Sequence, residues 1–195
     1  GNASLWPFPP KEPPIAWDTT GVVPKREIFR NVVGFLPGNQ PGRGKFLITS
    51  HFDAIGTRTN DWVPWLDPAP GGDDNLSGTA AVIEVARILA AEPELPFDLQ
   101  FICFDGEELG LWGSQAFAAA ESANGFTTPI LGVLNMDMIG YNPEQDSLVI
   151  MSNRPSVFLA RYMVDSELME NHASDFKISN SVNNLFISDQ GPFWD

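Results

Sequence analysis

Three hydrophobic runs organise this chain, and each closes on polar residues able to bind a metal: Lys45–Ser50 on His51 and Asp53, Asp98–Phe104 on Asp105, Glu107 and Glu108, and Ile130–Met136 on Asp137. Asp98–Phe104 is apolar almost throughout, as a strand buried on both faces should be. Asn31–Leu36 reads as a further strand, stopped by Pro37-Gly38, with a turn over Asn39–Gly44. That short connection predicts an antiparallel pair between Asn31–Leu36 and Lys45–Ser50. Asn75–Ala91 sets Val82, Val85, Ala86 and Leu89 at helical spacing and ends before Pro93. Leu111–Ser122 is helical, Leu148–Ser152 is a short strand, and Ser156–His172 is a helix opened by Pro155. Leu185–Ile187 is a candidate last strand. Strands alternating with helices predict a three-layer α/β/α sandwich around a mixed, mostly parallel sheet. Residues 31–195 form its single domain, preceded by a proline-rich arm over residues 1–30 that lacks a helical or strand period. A long loop over residues 54–73 carries Trp62, Trp65 and Gly71-Gly72.

Composition narrows the picture. With 195 residues, 43% hydrophobic and 18% charged, the chain is globular and large enough for a real core. A net charge of −14 argues against nucleic acid and favours cations, whether metals or peptide amino termini. A solvated acidic surface is the plainer source of that charge. No apolar run approaches the ~20 residues that cross a bilayer. Gly1–Pro14 has neither the basic start nor the apolar core of a secretory signal. Cys103 is the one cysteine, so no intrachain disulfide forms, and its apolar surroundings place it in the core.

The chemistry gathers where the strands end. In open α/β sheets, ligands bind outside the carboxyl ends of the strands, so residues distant in sequence can meet there. His51 and Asp53 stand at i and i+2 on an extended segment and point the same way, which suits a metal ligand and a partner that fixes its ring, or a structural His–Asp pair. Asp74, in Gly-Gly-Asp-Asp-Asn-Leu-Ser-Gly, is placed either to cap the following helix or to bridge two ions. Glu107-Glu108 could divide labour, one binding metal and the other accepting a proton from water, or could simply be an acidic helix start. Asp137, set among Leu134, Met136, Met138 and Ile139, would be costly to bury without a partner, which a metal or a salt bridge would supply. One imidazole with several carboxylates suits zinc or a related divalent ion.

Four segments occur together in order: His51-Phe52-Asp53, Gly72-Asp73-Asp74-Asn75-Leu76-Ser77-Gly78, Glu107-Glu108-Leu109-Gly110-Leu111-Trp112-Gly113-Ser114 and Asn135-Met136-Asp137-Met138-Ile139-Gly140. In this they resemble the co-catalytic zinc aminopeptidases, which include secreted bacterial leucyl-type aminopeptidases and relatives such as glutamate carboxypeptidase II. The resemblance covers roughly residues 30–195. It implies two zinc ions, with His51 and Asp137 holding one, Glu108 the other and Asp74 bridging both. Glu107 would be the general base, Asp53 would orient His51, and the reaction would be hydrolysis of an amino-terminal peptide bond. Export from the cytoplasm is also implied by the resemblance. The loop with Trp62 and Trp65 follows His51 and precedes Asp74, so it should overhang the metal edge, where the two indoles either line a pocket for the substrate's first side chain or pack over the core edge.

The resemblance also has gaps. Gln190, in Ser188-Asp189-Gln190-Gly191-Pro192-Phe193, stands where the resembling proteins usually carry a histidine that is not a ligand. The fifth ligand, a histidine, and the strand and helix around it are missing before Asp195, and His172 is a poor substitute. The site of His51, Asp74 and Asp137 keeps three ligands, whereas the Glu108 site keeps two. An open sheet edge would then invite a homodimer or a completing chain. Two rivals on the same fold are a non-enzymatic binding relative, as the transferrin-receptor ectodomain is, and a glutaminyl-cyclase-like enzyme.

Overall fold

A computed structural model describes residues 3–7, 29–56, 67–92, 95–141, 147–165, 177–182 and 187–194. In chain order the elements are strands β1 (Ala3–Pro7), β2 (Arg30–Leu36) and β3 (Lys45–His51), helix α1 (Leu76–Leu89), β4 (Asp98–Phe104), α2 (Trp112–Ala123), β5 (Ile130–Asn135), β6 (Ser147–Ser152), α3 (Val157–Val164) and β7 (Lys177–Val182), then a 3-10 turn at Gly191–Phe193. The main sheet has the order β1-β2-β4-β3-β5. It is mixed: β4, β3 and β5 run parallel, while β2 is antiparallel to both β1 and β4. β6 and β7 pair in parallel as a separate ribbon.

Alternation along β4 divides the core into two layers. Leu99 and Phe101 face one way and pack with Ile48 of β3 and Val82 of α1. Ile102 and Phe104 face the other way and pack with Val33, Leu47 and Phe117 of α2. Helices therefore cover both faces, giving the three layers expected. The step from β3 to β4 and the step from β4 to β5 run in opposite directions across the sheet. With both crossovers right-handed, their helices fall on opposite sides. Both parallel crossovers leave the carboxyl ends of β3, β4 and β5 along one edge, where the site lies.

The expected hairpin between β2 and β3 does not form, because β4 lies between them. The connecting segment is long enough to arch over the start of β4 and is tied down there. Gly38 N–H donates to the Asp98 carboxylate (2.8 Å), Asn39 N–H to the Leu95 carbonyl (2.8 Å), and Asp98 N–H to the Gly44 carbonyl (3.0 Å). The proline-rich start is also drawn into the sheet, where β1 forms an edge strand, a place that tolerates proline. The ribbon strand β7 precedes the expected Leu185–Ile187, of which residues 185–186 lie outside those described. Trp62, Trp65 and His172 also lie outside the described residues. Among the described residues, no helix is long and apolar enough to cross a membrane.

Phe104 is 0% exposed and meets Phe117 edge-on with ring centroids 6.0 Å apart. Truncating it should leave a cavity beneath α2 and the 3-10 turn. Phe104→Ala is expected to lower unfolding free energy by about 3–5 kcal/mol in a urea titration; a loss below about 1 kcal/mol would mean the layer is not packed as described.

Candidate metal centre

His51 ends β3 and is 1% exposed. Its Nδ1 lies 3.1 Å from the backbone carbonyl of Asp53. A proton on Nδ1 directed there leaves Nε2 facing a group of acids: Asp74 at 3.2 Å, Asp137 at 3.6 Å and Glu107 at 4.0 Å. The Asp53 carboxylate is 3.5 Å from Nδ1, and its closer contacts are elsewhere. Its two oxygens accept the consecutive backbone N–H groups of Glu107 and Glu108, each at 3.1 Å. Asp53 thus ties the end of β3 to the turn that follows β4, and with it the imidazole to both glutamates.

Asp74 has no capping duty. The N-cap of α1 is Asn75, whose side chain accepts the N–H of Gly78 at 3.1 Å. Asparagine is among the best N-cap residues, so the sequence Asp-Asn-Leu-Ser-Gly carried this signal. Relieved of the helix, the Asp74 carboxylate turns to His51.

Asp137 is less enclosed than its apolar neighbours suggested, with its side chain 28% exposed and Met138 and Ile139 exposed beside it. That segment has left the sheet, so its methionine and isoleucine side chains point to solvent. The carboxylate instead sits between polar partners. One oxygen faces His51, and the other accepts the Ser188 hydroxyl at 2.6 Å. Ser188 in turn accepts from the Asn135 amide (2.8 Å), whose oxygen accepts the Thr49 hydroxyl (2.8 Å). The Asn135 amide also reaches Gln190 Oε1 at 3.2 Å. A chain of donors running one way toward a carboxylate stabilises its charged form. Burial pushes the Asp137 carboxyl up, but the His51 and Ser188 contacts outweigh it and the group lies below its ordinary value.

The other acids are pushed up. Burial, with neighbouring carboxylates adding to it and His51 opposing, raises Glu107 to about 8 and Glu108 to about 7. Asp74 is raised, chiefly by burial. His51 is raised to about 11: burial opposes its charge, but Asp137, Asp53 and Glu107 prevail. Asp189 is the residue the motif reading left without a role. It is 0% exposed, neither oxygen makes a hydrogen bond of good geometry, and burial raises it to about 7 against the opposing pull of the neighbouring Ser114 hydroxyl of α2. Its field reaches Glu107. Asp189 lay within a segment singled out in the sequence, but its burial against α2 depends on the fold.

The donor set fits a divalent cation. One ligand atom from each of His51, Glu107 and Asp137 lies within 4.8 Å of the others. Like charges this close call for a cation among them, and an imidazole with carboxylates is a zinc-type set. Asp74 approaches the same nitrogen at 3.2 Å but stands outside that compact set. Glu107, expected as base, stands inside this compact set, while Glu108 is coupled through charge to Asp74, His51, Asp53 and Asp137.

The profile of Peptidase family M28 matches residues 31–195. The chain belongs to peptidase family M28. Among curated relatives, it is 34% identical over 111 residues to a probable zinc metalloprotease of Leptosphaeria maculans, covering 56% of this chain and 24% of that protein. It is also 34% identical over 118 residues to leucine aminopeptidase 1 of Ajellomyces capsulatus, covering 57% of this chain and 28% of that one. The chain therefore spans about a quarter of the length of these relatives. Among solved structures, a glutaminyl cyclase from an Acidobacteriales bacterium superposes with a TM-score of 0.67 at 22% identity, over 98% of this chain and 59% of that one. At that identity the likeness is one of fold, and a fold shared by peptidases and cyclases leaves chemistry to the site.

Two outcomes follow for this M28 chain. In the metal-free protein His51, Glu107, Glu108 and Asp189 all hold protons more tightly folded than unfolded. Folding stability should therefore be greatest in acid and fall as pH rises from about 5 to about 8, with added zinc opposing the fall. Asp137, shifted downward, works the other way only in strong acid. Melting temperatures of chelator-treated protein across that range provide the check, and a rise toward pH 8 would refute it. Ser188→Ala, which releases one oxygen of Asp137, should weaken zinc affinity by about 10–100-fold in competition with a chromophoric chelator. Ser188→Thr, which keeps the hydroxyl, should recover most of the loss.

Proposed function

We propose that this chain carries the active site of a zinc-dependent exopeptidase of the aminopeptidase type. The observation that carries the reading is the buried imidazole of His51 with Asp74, Asp137 and Glu107 around its Nε2. In this reading His51, Asp74 and Asp137 would hold one zinc, and Glu108, with Asp74, would hold a second. When bound, zinc polarises the scissile carbonyl and lowers the pKa of water toward about 7. Glu107 takes the proton from the attacking water and passes it to the departing amine. Its raised pKa, about 8 before any cation binds, suits a group that must both accept and release a proton. Asp53 keeps that carboxylate beside the imidazole by holding its backbone. The free amino terminus of a peptide is a cation, and the surrounding acids favour it over a carboxyl terminus. The leucine aminopeptidase named above supports the same polarity.

Glu107→Gln tests the reading. The amide keeps the shape of the side chain but cannot take a proton. Hydrolysis of aminoacyl-nitroanilides should fall by about 10²–10⁴-fold while zinc content per chain stays unchanged. Equal loss of zinc would make Glu107 a ligand rather than the base. A parent chain that takes up no zinc would point instead to the non-enzymatic binding relative.

A further inference from the structure

Asp73 precedes a proposed ligand and takes no part in the chemistry above, yet it is tied to the segment that carries Asp137. After β5 the chain leaves the sheet, and three successive backbone N–H groups find side-chain acceptors instead: Met138 on Asn75 Oδ1 (3.3 Å), Ile139 on Ser77 Oγ (3.1 Å) and Gly140 on Asp73 Oδ1 (2.7 Å). The Ser77 hydroxyl donates back to Asp73, at 2.7 Å to its carbonyl and 3.1 Å to Oδ1. Asn75 adds a bond from its amide to the Met136 carbonyl at 2.9 Å. The acceptors thus come from both sides of Asp74, and the amides come from the residues just past Asp137.

Two further observations show how closely the segments are fitted. A Cβ at Gly140 would lie 3.0 Å from Asp73 Oδ1 and 3.1 Å from Ser77 Cβ, so any larger residue would press on the contact. Asn75 already supplies the cap of α1, so the helix does not require Asp73 and Ser77 for its start.

We propose that Asp73 and Ser77 are positioning residues, forming a clasp that fixes the separation of the Asp74 and Asp137 carboxylates on either side of His51. The proposal rests on the zinc reading only for its consequence, since the clasp itself exists without metal. Loosening it lets the segment after Asp137 drift from the α1 loop, so the two carboxylates no longer present themselves to one ion. Asp73→Asn keeps an oxygen that accepts from both Gly140 and Ser77, so it should preserve the clasp, whereas Asp73→Ala removes it.

The test pairs two measurements on parent, Asp73→Ala, Asp73→Asn and Ser77→Ala chains. Amide hydrogen exchange of metal-free protein reads the clasp directly: in Asp73→Ala, Ile139 and Gly140 should exchange about tenfold faster or more, with β3 and β4 amides unchanged. Competition with a chromophoric chelator reads its consequence: zinc affinity should fall about tenfold or more in Asp73→Ala and return in Asp73→Asn. Unchanged exchange at Ile139 and Gly140 overturns the clasp. Faster exchange with parental zinc affinity overturns its positioning role. A parent chain that binds no zinc refutes the functional reading instead, and the exchange result then decides the clasp alone. Should Asp73→Ala fail to fold, Ser77→Ala, which removes the acceptor of Ile139, carries both measurements.

Discussion

Crowding of like charge around one buried imidazole is the constraint on which the rest of this structure depends. Carboxylates at 3.2 to 4.0 Å from a single nitrogen repel one another, and water cannot screen them fully at a half-buried sheet edge. Left to themselves, such side chains would swing apart into solvent. Side-chain hydrogen bonds prevent this by fastening each acid-bearing segment to another. Asp53 fastens the turn after β4, Asn75 the segment after β5, and Ser188 the Asp137 carboxylate itself. The hydrophobic layers on either side of β3 and β4 supply the rigidity against which those bonds act. In the metal-free chain protons relieve the stress: the acids hold one on His51 against the cost of burial, and burial, with neighbouring acids adding to it, holds one on Glu107 above its ordinary range.

Much of this was legible in the sequence, for local reasons. Asp98–Phe104 coincides with β4 because a strand covered on both faces needs an unbroken apolar run. The acids that follow the parallel strands had to gather at one edge once those strands were recognised. What the sequence hid was set by distant parts of the chain. A Pro-Gly connection is equally compatible with a hairpin and with an arch over a third strand, and only the pairing partners of β4 decide between them. Strand β7, Lys-Ile-Ser-Asn-Ser-Val, has no apolar run to announce it, and its partner lies in β6. Asp189 reads as an ordinary polar residue near a turn, and its isolation from solvent is created by α2.

The same distinction separates the two aspartates of the Asp73-Asp74 pair. Nothing in their order says which one faces the imidazole and which holds the neighbouring segment. The helix start resolves it: Asn75 occupies the cap, so the residues before it are displaced in opposite directions, one toward His51 and the other toward Gly140. A search for metal donors that counts acidic residues would score them alike.

Asp53 has one further implication. Because the two oxygens of one short side chain grip two consecutive amides while its own carbonyl meets the histidine ring, three components of the centre share a single anchor. Such a joint leaves little room for gradual adjustment. Drift in the ring's tilt carries the glutamate turn with it, so the geometry at this edge can be inherited or lost as a unit, but not tuned one part at a time.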